Sequence, residues 1–264
     1  MTRKPRQGKR VMVIADLHCG HQVGLTPPGF HAPINDPRQE KYAAVRQEVW
    51  NYFAVIVKQY SPIDVLVVNG DAIEGKGERS GSTELITAAR DVQVQIAAEV
   101  IDFIGAKTVR LVHGTPAHVG REEDWETVLA VEIGAKIGSH EWYEIEGVIF
   151  DCKHKIGSSS IPHGRLTPLA REILWNRLWW ARGQQPKARV LIRSHAHYYE
   201  HVDHDDCLGF ITPALQGFGS KYGSRECSGT VDIGALIFDV CEGGIKWQVE
   251  KIHGETQRAR AEVF

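Results

Sequence analysis

The sequence predicts a mixed α/β domain with helices outside a system of sheets. The first half alternates short β-branched apolar runs with segments of helical periodicity, giving βαβαβα, and the second half is mostly strand with one helix. The 264 residues also run without an internal repeat or a linker-like stretch. One domain over residues 1–264 is therefore the expected organisation, residues 1–9 forming a disordered basic tail.

The first strand is read from Arg10-Val-Met-Val-Ile-Ala-Asp16-Leu-His18, whose apolar run stops at an acid and an imidazole two residues apart. In a strand, residues i and i+2 share a side, so Asp16 and His18 are expected to converge past the carboxyl end. Open α/β sheets place their ligands there, and one hard oxygen with one borderline nitrogen suits a transition metal. A Pro-rich loop to about Asp36 (Pro27, Pro28, Pro33) follows, then a helix over Tyr42–Tyr60 ended by Ser61-Pro62. Asp64-Val-Leu-Val-Val-Asn-Gly-Asp71 is a second strand ending in an acid, which makes a parallel βαβ unit the economical reading. A loop over Ile73–Ser82, a helix from Thr83 to Gly105 and a strand over Val109–Val112 come next. A third helix is expected from Glu122 to Ile137, its acidic first turn (Glu122, Glu123, Asp124) suiting the macrodipole.

From His140 the pattern turns to β, with strands at Glu141–Ile145 and Val148–His154. A tryptophan-rich helix from Pro168 to Arg182 precedes Val190-Leu-Ile-Arg-Ser-His195-Ala-His197. Strands near Gly209–Leu215, Val231–Val240 and Ile245–Ile252 close the chain, with a Gly-rich loop at Gly217–Gly229.

Composition excludes several classes. With 31 basic against 33 acidic residues there is no global polyanion-binding signature. Five cysteines without a C-x-x-C argue against a disulfide framework or zinc ribbon and point to a reducing cytoplasm. No apolar h-region follows the basic start, and no apolar run approaches the ~18 residues of a membrane span.

The acid and histidine strand ends recur: Asp16/His18, Asp71, His118, His154 and His195/His197. Taken in order, Asp16-x-His18, Gly70-Asp71-x-x-Glu74, Gly114-Thr115…His118, His154 and Ser194-His195-x-His197 resemble the motifs of the calcineurin-like metallophosphoesterases. The resemblance spans residues 16–197 and is to the stand-alone versions found in bacteria and their phages. It implies two sheets face to face flanked by helices, with a two-metal site at the strand ends. It further implies that Asp16, His18 and His197 hold one divalent ion, that His154 and His195 hold the other, and that Asp71 bridges them. Such a pair, ~3.5–4 Å apart, lowers the pKa of a shared water and clamps a phosphoryl oxygen, so the implied reaction is attack of the resulting hydroxide on phosphorus. Imidazole-rich, thiolate-free ligation selects Mn, Fe, Co, Ni or Zn, with Mn favoured, over Mg or Ca.

One motif departs from the family, where Gly-Asn-His is usual. Thr115 stands where an Asn ligand is expected, and the histidine comes two residues late. His118 is the expected catalytic imidazole, as acid to the leaving group or stabiliser of phosphoryl charge; His113 is the runner-up. His163 and Arg165 follow the serine loop and could reach substrate phosphate. His21, His163, His201, His204 and His253 read as surface residues, and Cys19 as packing.

On the substrate one stretch bears. Between Arg165 and Arg193 seven basic residues face one acid, Glu172. On a helical wheel Leu169, Ala170, Ile173, Leu174, Leu178 and Trp180 fall on one side, and Trp175 and Trp179 on the other beside Arg171 and Arg182. Exposed tryptophan beside arginine can stack bases and contact phosphates; the competing reading is a helix buried on both sides, or a subunit contact. The sequence thus predicts a di-metal phosphoesterase acting on a phosphodiester of nucleic acid or a nucleotide, without a membrane partner. The alternatives are a phosphomonoesterase or a scaffold of the same fold without turnover.

Overall fold

The computed structural model describes residues 7–31, 37–120, 124–218, 231–254 and 261–263. Residues 1–6 of the expected tail, Pro33, Glu122, Glu123 and most of the Gly217–Gly229 loop lie outside the described residues.

Strand β1 (Lys9–Ile14) shows why the chain folds in layers. Val11 and Val13 point one way and Met12 and Ile14 the other, and all four are fully buried. A strand buried on both faces needs a cover on each. Met12 and Ile14 pack with Val45, Val49 and Phe53 of α1 (Pro37–Tyr60) and Val94, Ala97 and Ile101 of α2 (Arg90–Ile104). Val11 and Val13 meet Phe150, Val190, Ile192 and Phe210 of a second sheet.

The first sheet has the order β11 (Gly244–Ile252), β10 (Ile233–Cys241), β1, β2 (Val65–Asn69), β3 (Thr108–Val112), β4 (Lys136–Gly138). Strands β1 to β4 are parallel, and the β10–β11 hairpin adds antiparallel to β1. The second sheet has the order β5 (Glu141–Ile145), β6 (Val148–Cys152), β7 (Val190–Arg193), β9 (Cys207–Ile211), β8 (Glu200–His204), with β6, β7 and β9 parallel. Between the sheets Phe238 stands edge-to-face against Phe150 and Phe210, 5.3 Å from each centroid. Its truncation to Ala would cost about 3–5 kcal/mol. Helix α5 (Leu166–Ala181) covers the outer face of the second sheet. Two face-to-face sheets with helices outside are the architecture expected from the motifs.

Several expected elements are corrected. The helix expected from Thr83 begins at Arg90, because the preceding backbone is used elsewhere: Glu84 accepts from Gln22 N–H at 2.8 Å and Ile86 N–H donates to Gly20 at 2.7 Å. The helix expected to reach Ile137 is α4 (Trp125–Glu132), stopped at Gly134, whose φ of 65° is left-handed; Lys136–Gly138 then pairs with β3 as a strand. A one-turn helix, α3 (Pro116–Val119), carries His118. Strand β8 is a polar edge strand whose alternation was too weak to read.

Helix α5 is the largest correction. Of the six residues expected on its inner side only Leu169 and Ile173 are buried; Ala170, Leu174, Leu178 and Trp180 are exposed. The third inner residue is polar: Asn176 donates to Ala188 carbonyl at 2.9 Å and accepts from its N–H at 3.1 Å. The contact is narrow and close. A Cβ on Gly209 would stand 3.1 Å from both Leu169 and Ile173, so a glycine in β9 lets the helix approach.

Candidate metal centre

The motif residues leave their strands before they act. β1 ends at Ile14 and β7 at Arg193, so Asp16, His18, His195 and His197 do not follow strand alternation. Their convergence has another cause. Asp16, His18, Asp71, His195 and His197 all have left-handed backbones, with φ between 47° and 73°. Such a conformation costs an ordinary L-residue roughly 1–2 kcal/mol. Clustered outliers of this kind mark sites where the surrounding structure imposes the strain. Here it is imposed by hydrogen bonds between loops: Asp16 N–H donates to Gly70 carbonyl and His18 N–H to Asp71 carbonyl, both at 3.0 Å.

Two glycines permit the close packing. A Cβ on Gly70 would sit 2.4 Å from the His154 ring, and one on Gly114 would sit 2.1 Å from Asp71 Oδ1. Neither position tolerates a side chain.

The residues converge in three adjoining groups: Asp16, Asp71, His154 and His195; Asp16, His18 and His197; and His18, Glu74 and His118. His154 Nε2 is 3.0 Å from Asp71 Oδ2 and 3.9 Å from Asp16 Oδ1, and His197 Nε2 is 3.2 Å from Asp16 Oδ1. His195 Nδ1 lies 3.8 Å from Asp71 Oδ2, and its N–H donates to Asp16 Oδ2 at 3.1 Å. The carboxylate common to the first two groups is Asp16, whereas the motif resemblance implies Asp71 as the bridge. Asp16, Asp71, His154 and His18 form a buried floor, while His118, His195 and His197 form a half-buried rim.

Second contacts fix the imidazoles. His18 Nδ1 lies 2.8 Å from Glu74 Oε2, and His154 Nδ1 lies 2.7 Å from the Asn69 carbonyl. Both partners accept, so each ring carries its proton on Nδ1 and presents Nε2 to the cluster, the arrangement that orients histidine toward a metal. Burial pushes the His18 pKa down, assisted by the His118 charge. For His154 burial also opposes protonation, but the Asp71 and Asp16 charges prevail and raise it to about 10. Burial would raise Asp71, yet His154 and His195 hold it well below the usual carboxylate range. Asp16 is lowered in the same way by His197.

The donor set fits divalent transition ions. Two atoms aimed into the cluster, Asp16 Oδ1 and His154 Nε2, are buried without a hydrogen-bond partner; the 3.0 Å approach of His154 to Asp71 lacks the alignment of a hydrogen bond. Buried polar atoms are ordinarily satisfied, and carboxylate with imidazole is the ligand chemistry of Mn, Fe, Co, Ni and Zn.

Thr115 sits against Asp71: its N–H donates to Asp71 Oδ1 at 2.6 Å, and its hydroxyl lies 3.2 and 3.3 Å from the two oxygens. His118 lies at the rim with Nδ1 2.9 Å from the Glu74 carbonyl, its ring T-shaped to His18 at 4.5 Å. His113, the runner-up, turns away toward Asp124 at 3.3 Å. His163 is exposed in the turn Pro162–Gly164, and the Arg165 guanidinium lies 4.4 Å over the ring of Tyr198, the residue after His197. Trp175 and Trp179 lie in the later turns of α5, Trp175 45% exposed and Trp179 half-buried. His21, expected at the surface, is buried; its Nδ1 accepts from Val23 N–H, and burial lowers its pKa to about 4.

Two acids complete the site. Glu74, carried in the motif without a role, holds His18 and lies 3.5 Å from His118. Glu126 gave no sequence signal, yet its carboxylate accepts from Ala72 N–H at 2.8 Å and Gly114 N–H at 2.6 Å. It thereby ties the Asp71 loop to the Thr115 loop. Burial and the Asp71 charge push its pKa up to about 8, against the pull of those two donors.

No protein-family model and no curated protein matches the chain. Among solved structures the fold is similar to an archaeal phosphodiesterase, at 11% identity and TM-score 0.46 over 91% of this chain and 99% of that one. It is similar to Vps29 complexed with zinc from Entamoeba histolytica, at 13% identity and TM-score 0.44 over 92% and 98% of the two chains. It is also similar to a predicted phosphoesterase from Streptococcus pneumoniae, at 9% identity and TM-score 0.39 over 93% and 100%. With TM-scores below 0.5, the reading of function depends on the geometry of the site alone. Among the described residues no helix is long and apolar enough to cross a membrane.

Proposed function

We propose that the chain is a metal-dependent phosphodiesterase that holds two divalent transition ions, Mn among the candidates, in the groups built on Asp16. The observation that carries this reading is the pair of buried atoms, Asp16 Oδ1 and His154 Nε2, aimed into a cluster of carboxylates and imidazoles without a hydrogen-bond partner. Asp16, His18 and His197 would hold one ion, and Asp16, Asp71, His154 and His195 the other. When bound, such ions supply positive charge to a phosphoryl oxygen and acidify a water.

The chain's own residues do the rest. Glu74 and Asn69 hold the Nδ1 protons of His18 and His154, so that Nε2 is the nitrogen each ring would offer to an ion. The Glu74 carbonyl holds the Nδ1 proton of His118 in the same way; as an imidazolium this rim ring also carries an Nε2 proton, which it can give to the departing oxygen or use to donate to phosphoryl charge.

Asp16, Asp71 and Glu74 place three carboxylates in the cluster, and two dications would leave the loaded site net positive, so charge at the centre admits a diester or a monoester. The preference for a diester rests on the tryptophans and arginines of α5, which suit a nucleic-acid chain.

The test compares bis-p-nitrophenyl phosphate with p-nitrophenyl phosphate in Mn²⁺. The expected result is faster turnover of the diester, lost on chelation. His118→Ala should lower kcat by ~10²–10⁴ with metal content unchanged. Preference for the monoester would establish a phosphatase instead, and metal binding without turnover of either would establish a scaffold.

A further inference from the structure

The side of α5 toward the site loop presents aromatic rings and cations together. At ~100° per residue, Arg171, Trp175, Trp179 and Arg182 fall within one ~80° sector. The Trp175 and Trp179 centroids are 6.2 Å apart, and the Arg182 guanidinium lies 5.7 Å over the Trp179 ring. Among the described residues neither Arg171 nor Arg182 forms an ion pair. The neighbouring acids are spent inward or sideways: Glu172 on Lys153 and Arg193, and Asp206 on Arg177 and Lys187. The face is therefore net positive and unpaired.

It is also continuous with the candidate centre. A Cβ on Gly157 would stand 3.7 Å from Arg171 Nη2 and 3.8 Å from Pro168, so the start of this sector lies against the loop leaving His154. Exposed Lys155 is on the same loop. At 1.5 Å per residue Trp175 and Arg182 lie roughly 15 and 26 Å along the helix from Arg165, too far to touch a small diester in the site.

The exposed Trp175 and the half-buried Trp179 beside unpaired cations form a surface that single strands can bind, the rings stacking bases and the cations following the phosphates. We infer that the Arg171–Trp175–Trp179–Arg182 face of α5 is a track for single-stranded nucleic acid leading into the metal centre. The inference rests on the phosphodiesterase reading of that centre.

The test measures binding of a fluorescein-labelled 12-residue oligothymidylate by anisotropy, in chelator so that no cleavage occurs, against increasing salt. The Trp175→Ala/Trp179→Ala double variant should bind about tenfold or more weakly. The Arg171→Gln/Arg182→Gln variant should make the log–log salt slope shallower by about 1.4, at ~0.7 per single-strand phosphate. Arg171, Trp175 and Arg182 are exposed and Trp179 is half-buried, and thermal melts of both variants check that they fold. Absence of wild-type binding, or equal binding by both variants, overturns the track. A wild-type dimer that the double tryptophan variant dissociates overturns it too, by making the face a contact between copies. Turnover of bis-p-nitrophenyl phosphate by the wild-type protein tests the centre separately, so the two readings fail independently.

Discussion

Two charged clusters are buried side by side at the ends of β6 and β7, and they are built on opposite terms. In the first, Arg193 is fully enclosed and every charge is answered. Its guanidinium lies 2.7 Å from Asp151 and 2.9 Å from Glu172; Lys153 reaches Glu172 at 2.8 Å, and His140 reaches Asp151 at 2.8 Å. In the second, one to three residues further along the same strands, His154, His195 and the aspartates converge with Asp16 Oδ1 and His154 Nε2 left without hydrogen bonds. The sheet end thus carries a closed network as a footing and an open one above it. Buried charge alone does not mark a site. Buried polar atoms left without a hydrogen bond, on loops held in left-handed conformations, do.

The comparison breaks most visibly if the closed network is not closed. Arg193→Ala leaves the buried Asp151 and the half-buried Glu172 without their shared cation, and losing one member of a buried set costs about 3–5 kcal/mol. Denaturant unfolding measures it; a loss under about 1 kcal/mol would place the two clusters in one class. Acid should probe the same network. Burial opposes ionisation of Asp151 and Glu172, but His140, Arg193 and Lys153 overcome it and hold both below the usual carboxylate range. In acid the unfolded chain therefore binds more protons than the folded one, and stability rises with pH there. The network's contribution is present above the unfolded carboxylate pKa and is lost as pH falls through the folded values. Melting temperature against pH should show a steep acid limb, flattened in Arg193→Met.

The open cluster should respond to ions instead. Adding Mn²⁺ to chelator-stripped protein at a hundred times its Kd should stabilise the fold by about 2.7 kcal/mol. Asp16→Asn should remove most of that gain, because Asp16 belongs to both ligand groups. The same ion should leave the melting of Asp151→Asn shifted as much as the wild type, since that residue belongs to the closed network. Equal melting with and without Mn²⁺ would make the cluster a structural one.

The two clusters were also unequally legible. Asp16, His18, Asp71, His154, His195 and His197 could be picked from sequence because each follows an apolar run, and strand ends deliver residues to one edge whatever packs around them. Strand alternation accounts for only part of this, since it stops at Ile14 and Arg193 and left-handed backbones do the converging. The closed network was invisible, since Asp151 and Arg193 read as interruptions in apolar strands. Glu126 was invisible too, because its partners Ala72 and Gly114 are backbone groups 54 and 12 residues away. Helix α5 was misread for a third reason. A wheel gives the angle of each residue but not the width of the contact, and a contact set by Gly209 and Asn176 leaves Leu174 and Leu178 in solvent.

The smallest expected effect concerns the one position where the open cluster is partly closed by its own chain. Thr115 donates to Asp71 through both its N–H and its hydroxyl, so part of Asp71's acceptor capacity is already engaged. A hydroxyl in that role orients the carboxylate but brings no strong donor of its own to an ion. Thr115→Asn keeps the backbone bond at 2.6 Å and exchanges the hydroxyl for an amide oxygen, the better ligand for a divalent cation. Changes at a residue that orients a ligand typically move metal affinity by ~10–100-fold. The gain for the weaker of two ions should sit at the lower end, about tenfold, or about 1.4 kcal/mol. Calorimetric titration of stripped protein with Mn²⁺ reads it directly, because only the second, weaker step should tighten while the first stays in place. Tightening of both steps would mean that Asp71 serves both ions. No change in either would mean that Thr115 only holds Asp71, and that the group of His18, Glu74 and His118 is the next place to look for a missing ligand.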